Sequence, residues 1–274
     1  MVSQEEKYRR FMALHAREGA FVMPNPWDAG SAHLLAHLGF EALATTSAGL
    51  AFSLGRRDSA ADLSRDEILA NAKTIVEATD LPVSADLENG FGDLPEDCAL
   101  TIRLAIEAGL VGGSIEDATG RPDDPIYDFD AAVERVRAAA EARAGKPFIL
   151  TARSENFLWG RPDLADTIRR LQAFSEAGAD VLYAPGLPNI EAIATVCRAV
   201  DKPINVVMGL KGENYSVAEL ERAGVRRISV GGSFARAALA GLKRAAEEVL
   251  TEGTFNYDRV EGSEAERLTA PPNR

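Results

Sequence analysis

RLAIEAGLVGGSIED, residues 103–117, has three pieces in a fixed order: an Ala/Leu-rich helical stretch, a glycine, and a short strand-like run ending in two acids. Gly109 stands where a helix stops, because left-handed φ costs glycine nothing. The run after it does not alternate with polar residues, as expected of a strand covered on both faces. The same order recurs in LLAHLGFEALATTS (34–47), LQAFSEAGADVLYAP (171–185) and AELERAGVRRISVGG (218–232), with Gly39, Gly178 and Gly224 at the joints. Three more joints, in TDLPVSAD, GKPFILTA and DKPINVV, use Pro82, Pro147 and Pro203 to halt a helix and open a strand.

These seven joints open strands near 41–46, 82–86, 112–116, 147–152, 179–183, 203–207 and 226–230, and with a first strand near 20–24 the count is eight. Amphipathic helix patterns fill the gaps, among them 63–78, 95–108 and 128–142. Strict alternation of strand and helix implies a parallel sheet with right-handed crossovers. Eight such units favour an α/β fold of the closed (β/α)8 barrel type. An open doubly wound sheet would carry a glycine-rich phosphate turn after its first strand; here that turn reads MPNPWDAG. Ser3 and Glu6 mark a capped helix ahead of the barrel, with Phe11 and Leu14 on one face. We expect one domain over residues 1–255 and a mobile or partner-bound tail over 256–274, where GSEAERLTAPPNR lacks a core pattern.

A formal charge of −12 argues against nucleic acid and anionic membranes as partners, since both require a basic surface. It leaves room for a small anionic substrate, because a bound cation inverts the field inside a pocket. The N-terminus is too polar for a signal peptide, and no apolar run is long enough to span a bilayer. Cys98 and Cys197 are far apart and read as buried thiols of a cytoplasmic protein.

In a (β/α)8 barrel the reacting groups sit where strands end. The second predicted strand ends at Thr45, Thr46, Ser47, Ala48 and Gly49. The third ends at Asp86 and Glu88, the fourth at Glu116 and Asp117, the fifth at Arg153 and Glu155. Tyr183 and Asn205 end the sixth and seventh. So many carboxylates on neighbouring rims would destabilise the fold without a counter-charge. Oxygen ligands in this number suit a hard cation, Mg²⁺ with Mn²⁺ as the other choice. We expect Asp86 as the direct ligand, with Glu88 and Glu116 direct or through water. Asp93, Asp97 and Asp117 read as solvent-facing or capping. Arg153 either pairs with Glu155 or Glu116 or clamps an acidic group of the substrate, and the second reading is preferred. The TTSAGL turn offers backbone donors, as an oxyanion cradle or as a plain tight turn. His15, His33 and His37 lie in predicted helices, away from the chemistry.

Four stretches, TTSAGLAFSLGRRD (45–58), PVSADLENGFGD (82–93), GGSIED (112–117) and TARSENF (151–157), together resemble the phosphoenolpyruvate mutase / isocitrate lyase superfamily in order and spacing. The resemblance runs from about residue 10 to about residue 250. It implies a barrel whose last helix is exchanged between subunits of a dimer or tetramer. It implies Mg²⁺ held at Asp86 and Glu116 with Glu88 behind them, and substrate acids bound by Arg153 and by Ser47, Ala48 and Gly49. Asp58 matches the aspartate acting at the reacting centre in the mutase branch, and Tyr183 stands where other members often carry His. Members of the superfamily act on α-oxo or α-hydroxy carboxylates beside an enolate. The loop after the fourth strand, EDATGRPDDPIYDF (116–129), departs from the pattern: it lacks the Lys-Lys-Cys-Gly-His run of the lyases and the Lys of the mutases. It still reads as a lid. The remaining common core implies Mg²⁺-dependent C–C cleavage of an oxaloacetate-like acid. The alternatives are a P–C bond enzyme, phosphonopyruvate hydrolase or phosphoenolpyruvate mutase-like, and a barrel that binds an oxo acid without turnover.

Overall fold

A computed structural model of the chain describes residues 2–58, 62–210 and 212–271. Its strands are β1 (Phe21–Met23), β2 (Leu43–Ala44), β3 (Val83–Asp86), β4 (Gly112–Glu116), β5 (Ala118–Arg121), β6 (Asp124–Ile126), β7 (Ile149–Arg153), β8 (Val181–Tyr183), β9 (Ile204–Val207) and β10 (Arg227–Ser229). Eight of them form one parallel sheet in the order β1-β10-β9-β8-β7-β4-β3-β2. The two ends meet where Ala44 N donates to Pro24 O at 2.9 Å, which brings the sheet round into a (β/α)8 barrel. β5 and β6 stand apart as an antiparallel hairpin.

The helices follow from the punctuation read in the sequence. Gly109 and Gly178 sit just past α5 (Pro95–Glu107) and α7 (Leu164–Glu176) with φ of +89° and +107°, conformations that L side chains rarely adopt. α2 (Ala29–His37), α4 (Arg65–Ala78), α6 (Phe129–Ala142), α8 (Ile190–Ala199) and α9 (Val217–Arg222) complete the crossovers. α1 (Gln4–Ala16) precedes them, and the Ser3 side chain accepts from Glu6 N to start it. The Glu6 carboxylate turns to Arg9 and Arg10. Phe11 and Leu14 of α1 pack with Phe21, Ala42, Val111, Ile149 and Val181, closing the amino-terminal end of the barrel.

One row of the sheet organises the interior. Glu116 pairs in register with Arg153, Arg153 with Tyr183, Tyr183 with Asn205, Asn205 with Arg227, and Arg227 with Phe21. In a closed barrel such a row is inclined to the axis, so it descends from the carboxyl-end mouth toward the plug made by α1.

The C-terminal part behaves differently. α10 (Ser233–Glu252) meets α3 (Ser47–Ser53) and buries only Ala235, leaving Phe234, Leu239, Leu242 and Leu250 exposed. The segment read as a patternless tail contains α11 (Gly262–Thr269), which packs on α2, with Thr269 O 2.6 Å from His33 Nδ1. Among the described residues no helix is long and apolar enough to cross a membrane, and Cys98 and Cys197 are free thiols.

Candidate functional site at the barrel mouth

The carboxyl ends of the strands enclose a cavity of ≈ 510 Å³. Asp58, Asp86, Glu88, Glu116, Glu155, Arg153, Tyr183, Asn205, Thr45, Ser47 and Ala48 all line it. The structure therefore brings nearly all the sequence-derived candidates into one place. Strand pairing explains it: β2, β3, β4, β7, β8 and β9 are consecutive neighbours, so residues ending each strand converge on one rim.

Arg153 is the hub. Its Nη1 donates to Asp86 Oδ1 at 2.9 Å, its Nε to Glu155 Oε1 at 2.9 Å, and its Nη2 stands 3.2 Å from Glu116 Oε2. Its guanidinium carbon lies 4.9 Å from the Tyr183 ring centroid, within cation–π range. Burial disfavours its charge, but Glu155, Glu116 and Asp86 outweigh burial and push the pKa up. The sequence reading prefers a substrate clamp over protein pairing for Arg153; here it pairs with three acids, Asp86 as well as the expected Glu155 and Glu116, and keeps two N–H donors beyond those contacts.

Those acids are held from behind. Asp86 N donates to Thr45 Oγ1 at 3.0 Å, and Ser47 Oγ donates to Asp86 Oδ2 at 3.1 Å. Asp117, read from sequence as solvent-facing or capping, is instead buried, at 2% exposure. Glu116 faces the cavity, so the next residue on the strand faces the helices. Asp117 Oδ1 accepts from Glu155 N at 2.7 Å, and its Oδ2 from Arg170 Nη1 at 3.1 Å. Burial raises its pKa to about 7 against both bonds. Arg170 was not anticipated, although a signal existed: Thr167, Arg170, Leu171 and Phe174 form one buried stripe of α7.

The other acids are under electrostatic pressure. Burial lifts the Glu88 carboxyl to about 8, and Asp86 and Asp58 add to the effect. Glu88 also holds a left-handed φ of +47°, a costly conformation for a residue with a side chain. Burial raises Glu116 well above the usual carboxylate range, with Arg153 opposing and Glu155 adding. Asp58, exposed at the mouth, is shifted upward by partial desolvation among its neighbours and by Asp86, with Arg153 and Arg236 opposing.

The TTSAGL stretch is the start of α3, capped by Thr46, whose Oγ1 accepts from Gly49 N at 3.2 Å. Ser47 and Ala48 face the cavity, whereas the Gly49 donor is already used. Gly49 is there for space: a Cβ would meet Thr46 Cγ2 at 2.6 Å and Trp27 Cβ at 2.9 Å. Tyr183 is buried beside Arg153, and burial pushes its hydroxyl pKa up. The Asn205 amide is committed at both ends, donating to Ser229 Oγ at 3.1 Å and accepting from Arg227 Nε at 2.8 Å.

Within the loop 116–129, read as a lid, residues 118–126 form the β5–β6 hairpin, with Gly120 and Pro122 on the cavity wall. Asp93 fastens it: Tyr127 OH donates at 2.5 Å and Arg121 Nη1 at 2.9 Å. Arg135 supports it from below, its guanidinium carbon 4.1 Å from the Tyr127 ring centroid.

The donor set fits a hard cation in one specific way. Among the described residues no three His, Cys, Asp or Glu side chains are grouped closely enough to share an ion. Yet Asp58, Asp86, Glu88, Glu116 and Glu155 face a cavity whose mouth holds Arg153 as counter-charge. Mg²⁺ that keeps several waters needs only one or two carboxylates from the protein. Asp86 and Glu116, whose contacts are shared through Arg153, are the residues that would hold it.

A family model described as phosphoenolpyruvate phosphomutase matches residues 11–250. A solved structure of a "putative lyase/mutase" from Burkholderia cenocepacia J2315 is 57% identical, covers 98% of this chain and 99% of its own, and superposes with a TM-score of 0.94. The 2-methylisocitrate lyase of Escherichia coli (strain K12) is 28% identical over 265 residues, 93% of this chain and 86% of the relative. The oxaloacetate decarboxylase of Pseudomonas savastanoi pv. phaseolicola is 26% identical over 229 residues, 82% of this chain and 78% of the relative.

Proposed function

The chain belongs to the phosphoenolpyruvate phosphomutase family, within the phosphoenolpyruvate mutase / isocitrate lyase superfamily of enzymes, and from that premise we propose that it is a Mg²⁺-dependent lyase cleaving a C–C bond of a small oxaloacetate-like α-oxo or α-hydroxy acid. The observation that carries this reading is the Arg153 hub, one guanidinium surrounded by Asp86, Glu116 and Glu155 in a cavity with an excess of acid. Asp86 and Glu116 would hold Mg²⁺, or Mn²⁺ in its place, with Glu88 as a supporting carboxylate. When bound, the metal supplies Lewis-acid stabilisation of the negative charge that develops on the substrate's oxo oxygen. Arg153 binds the substrate carboxylate beside that oxygen, and Ser47, whose Oγ donates to Asp86, lines the cavity next to it. For an oxaloacetate-like acid the carboxylate beside the enolate carbon leaves as CO₂, the electron pair of the broken bond stays in the enolate, and Asp58, on the cavity wall, delivers a proton to that carbon and recovers one from solvent. The hairpin reduces water access while that carbon is basic.

The relatives' names support carbon–carbon chemistry for the family, since one is called a 2-methylisocitrate lyase and another an oxaloacetate decarboxylase. Between those two, the smaller substrate is favoured here: loop 116–129 has no Cys, Lys or His to serve the larger one. The enzyme works as a homo-oligomer, because the apolar side chains of α10 lack cover within the described residues. Two free thiols support the cytoplasm as its compartment.

The test is a substrate panel followed by NMR. Oxaloacetate should be consumed with Mg²⁺ faster than by the metal alone, and D58A should fall toward that background. Turnover confined to phosphonopyruvate would assign P–C chemistry instead. Oxalate binding without turnover of oxaloacetate, phosphonopyruvate or methylisocitrate would make the barrel a binding protein.

A further inference from the structure

The cavity has an acidic mouth and a basic floor. Arg227, the first residue of β10, lines the cavity yet is only 3% exposed. Its Nε donates to Asn205 Oδ1 at 2.8 Å, its Nη2 donates to Thr151 Oγ1 at 2.9 Å, and its Nη1 lies 3.4 Å from His15 Nε2. All three partners are neutral. The imidazole is kept so by burial and by Arg227 itself, which hold its pKa at about 3. Burial lowers the Arg227 pKa to about 9, leaving it cationic at neutral pH.

Among the described residues Arg227 forms no ion pair; the acids of this cavity that do so turn to Arg153. Three contacts leave two of its five N–H donors for another acceptor. A purely structural strut across β7, β9 and β10 would need hydrogen bonds but no charge, and a buried unpaired charge is costly. Ser84, Ser114 and Ser229 line the same cavity. Ser84 and Ser114 stand two residues before Asp86 and Glu116, on the same face of their strands and one step deeper.

We propose that Arg227 is a specificity residue that takes a second carboxylate of the substrate, directed down the barrel axis, so that the site selects diacids over mono-acids. The inference rests on the reading of the cavity as an oxo-acid site. It adds the orientation of the ligand: a second carboxylate left at the mouth faces Asp58, Glu88 and Glu155, whereas one directed inward meets a guanidinium with open donors and a set of hydroxyls.

The test compares three probes by calorimetry on the full chain with MgCl₂: oxalate, 2-oxobutyrate and 3,3-difluorooxaloacetate. The wild-type chain should prefer the four-carbon diacid over the four-carbon mono-acid by about tenfold or more. R227M should erase that preference by weakening the diacid, while oxalate stays within about twofold. R227K, which keeps the charge, should retain most of the preference. If R227M does not fold, as judged by circular dichroism, R227Q keeps an amide for Asn205 and Thr151 and removes only the charge. Equal losses for oxalate and diacid, or a preference that survives removal of the charge, overturn the inference alone. No metal-dependent binding of any probe to the wild-type chain overturns the oxo-acid reading, and the inference with it.

Discussion

Arg153 on β7 donates to Asp86 on β3 at 2.9 Å across the intervening strand β4. The contact spans 67 residues of sequence. Glu116 of the bridging strand meets the same guanidinium at 3.2 Å. Each of these charges is tolerated because the others are present.

Removing the cation should therefore expose three carboxylates to one another. R153M should lose about 3–5 kcal/mol of stability in urea unfolding, the usual cost of breaking a buried ion cluster from one side. R153K should recover part of that stability, yet bind oxalate poorly, because a point charge cannot reproduce a planar fork. Equal stability of R153M and the wild type would rule out the hub as a structural element.

Magnesium together with oxalate should raise the melting temperature, and magnesium with oxalate and chelator should not. At about a hundred times Kd the linkage is worth about 2.7 kcal/mol, several degrees for a chain of this size. D86N should abolish the shift, and E116Q should reduce it. D97N, at the cap of α5, should leave it in place.

Asp93 secures the hairpin through Tyr127 and Arg121 without lining the main cavity. D93A should raise KM several-fold and speed proteolytic cleavage within 118–126. The loss of stability should stay near 1 kcal/mol, since the pair is solvent-exposed. Unchanged proteolysis would mean that other contacts hold the hairpin.

His15 gives the fold an acid limb. Its folded pKa of about 3 lies below the ordinary 6.5, chiefly through burial and then Arg227. The unfolded chain thus takes up a proton that the folded chain refuses. The stability is full above pH 6.5 and is lost as pH falls from there toward 3, with about 2 kcal/mol gone by pH 5. H15Q should show a shallower decline between pH 7.5 and pH 5 in urea unfolding.

α10 should mediate self-association. Leu242 is 68% exposed and Leu250 84% exposed on a helix whose sole buried residue is Ala235. Light scattering should find the wild-type chain oligomeric, and L242E should shift it toward monomer. A monomeric wild-type chain would leave that apolar surface without a role.

Much of this arrangement was readable from the residues, because barrel strands are punctuated. Gly109 and Gly178 stop helices, Pro82 and Pro203 open strands, and the acids after the strands had to converge once strand order was known. Other features depended on which side of a strand a residue faces. Asp117 resists a sequence reading because Glu116 and Asp117 are adjacent acids, and only the pleat sends one inward and the other under α7. Arg227 was hidden by its neighbour: in RRIS either arginine could have been the exposed one. The Gly49 N–H goes to the Thr46 cap rather than to the cavity, because TTSAGL reads the same in one dimension whether it is an open turn or a capped helix start. The hairpin went unread because PDD marks a turn without saying whether the flanks pair.

The register row from Glu116 to Phe21 also limits how this protein can diverge. Inserting or deleting one residue within β7, β8 or β9 would rotate every later side chain of that strand by half a turn and remove Arg153, Tyr183 or Asn205 from the lumen. The β5–β6 hairpin lies outside the barrel sheet, so a change in its length leaves that register intact. Shifts in substrate preference among relatives should therefore be recorded as loop-length differences near residues 118–126, over strands whose lengths stay constant.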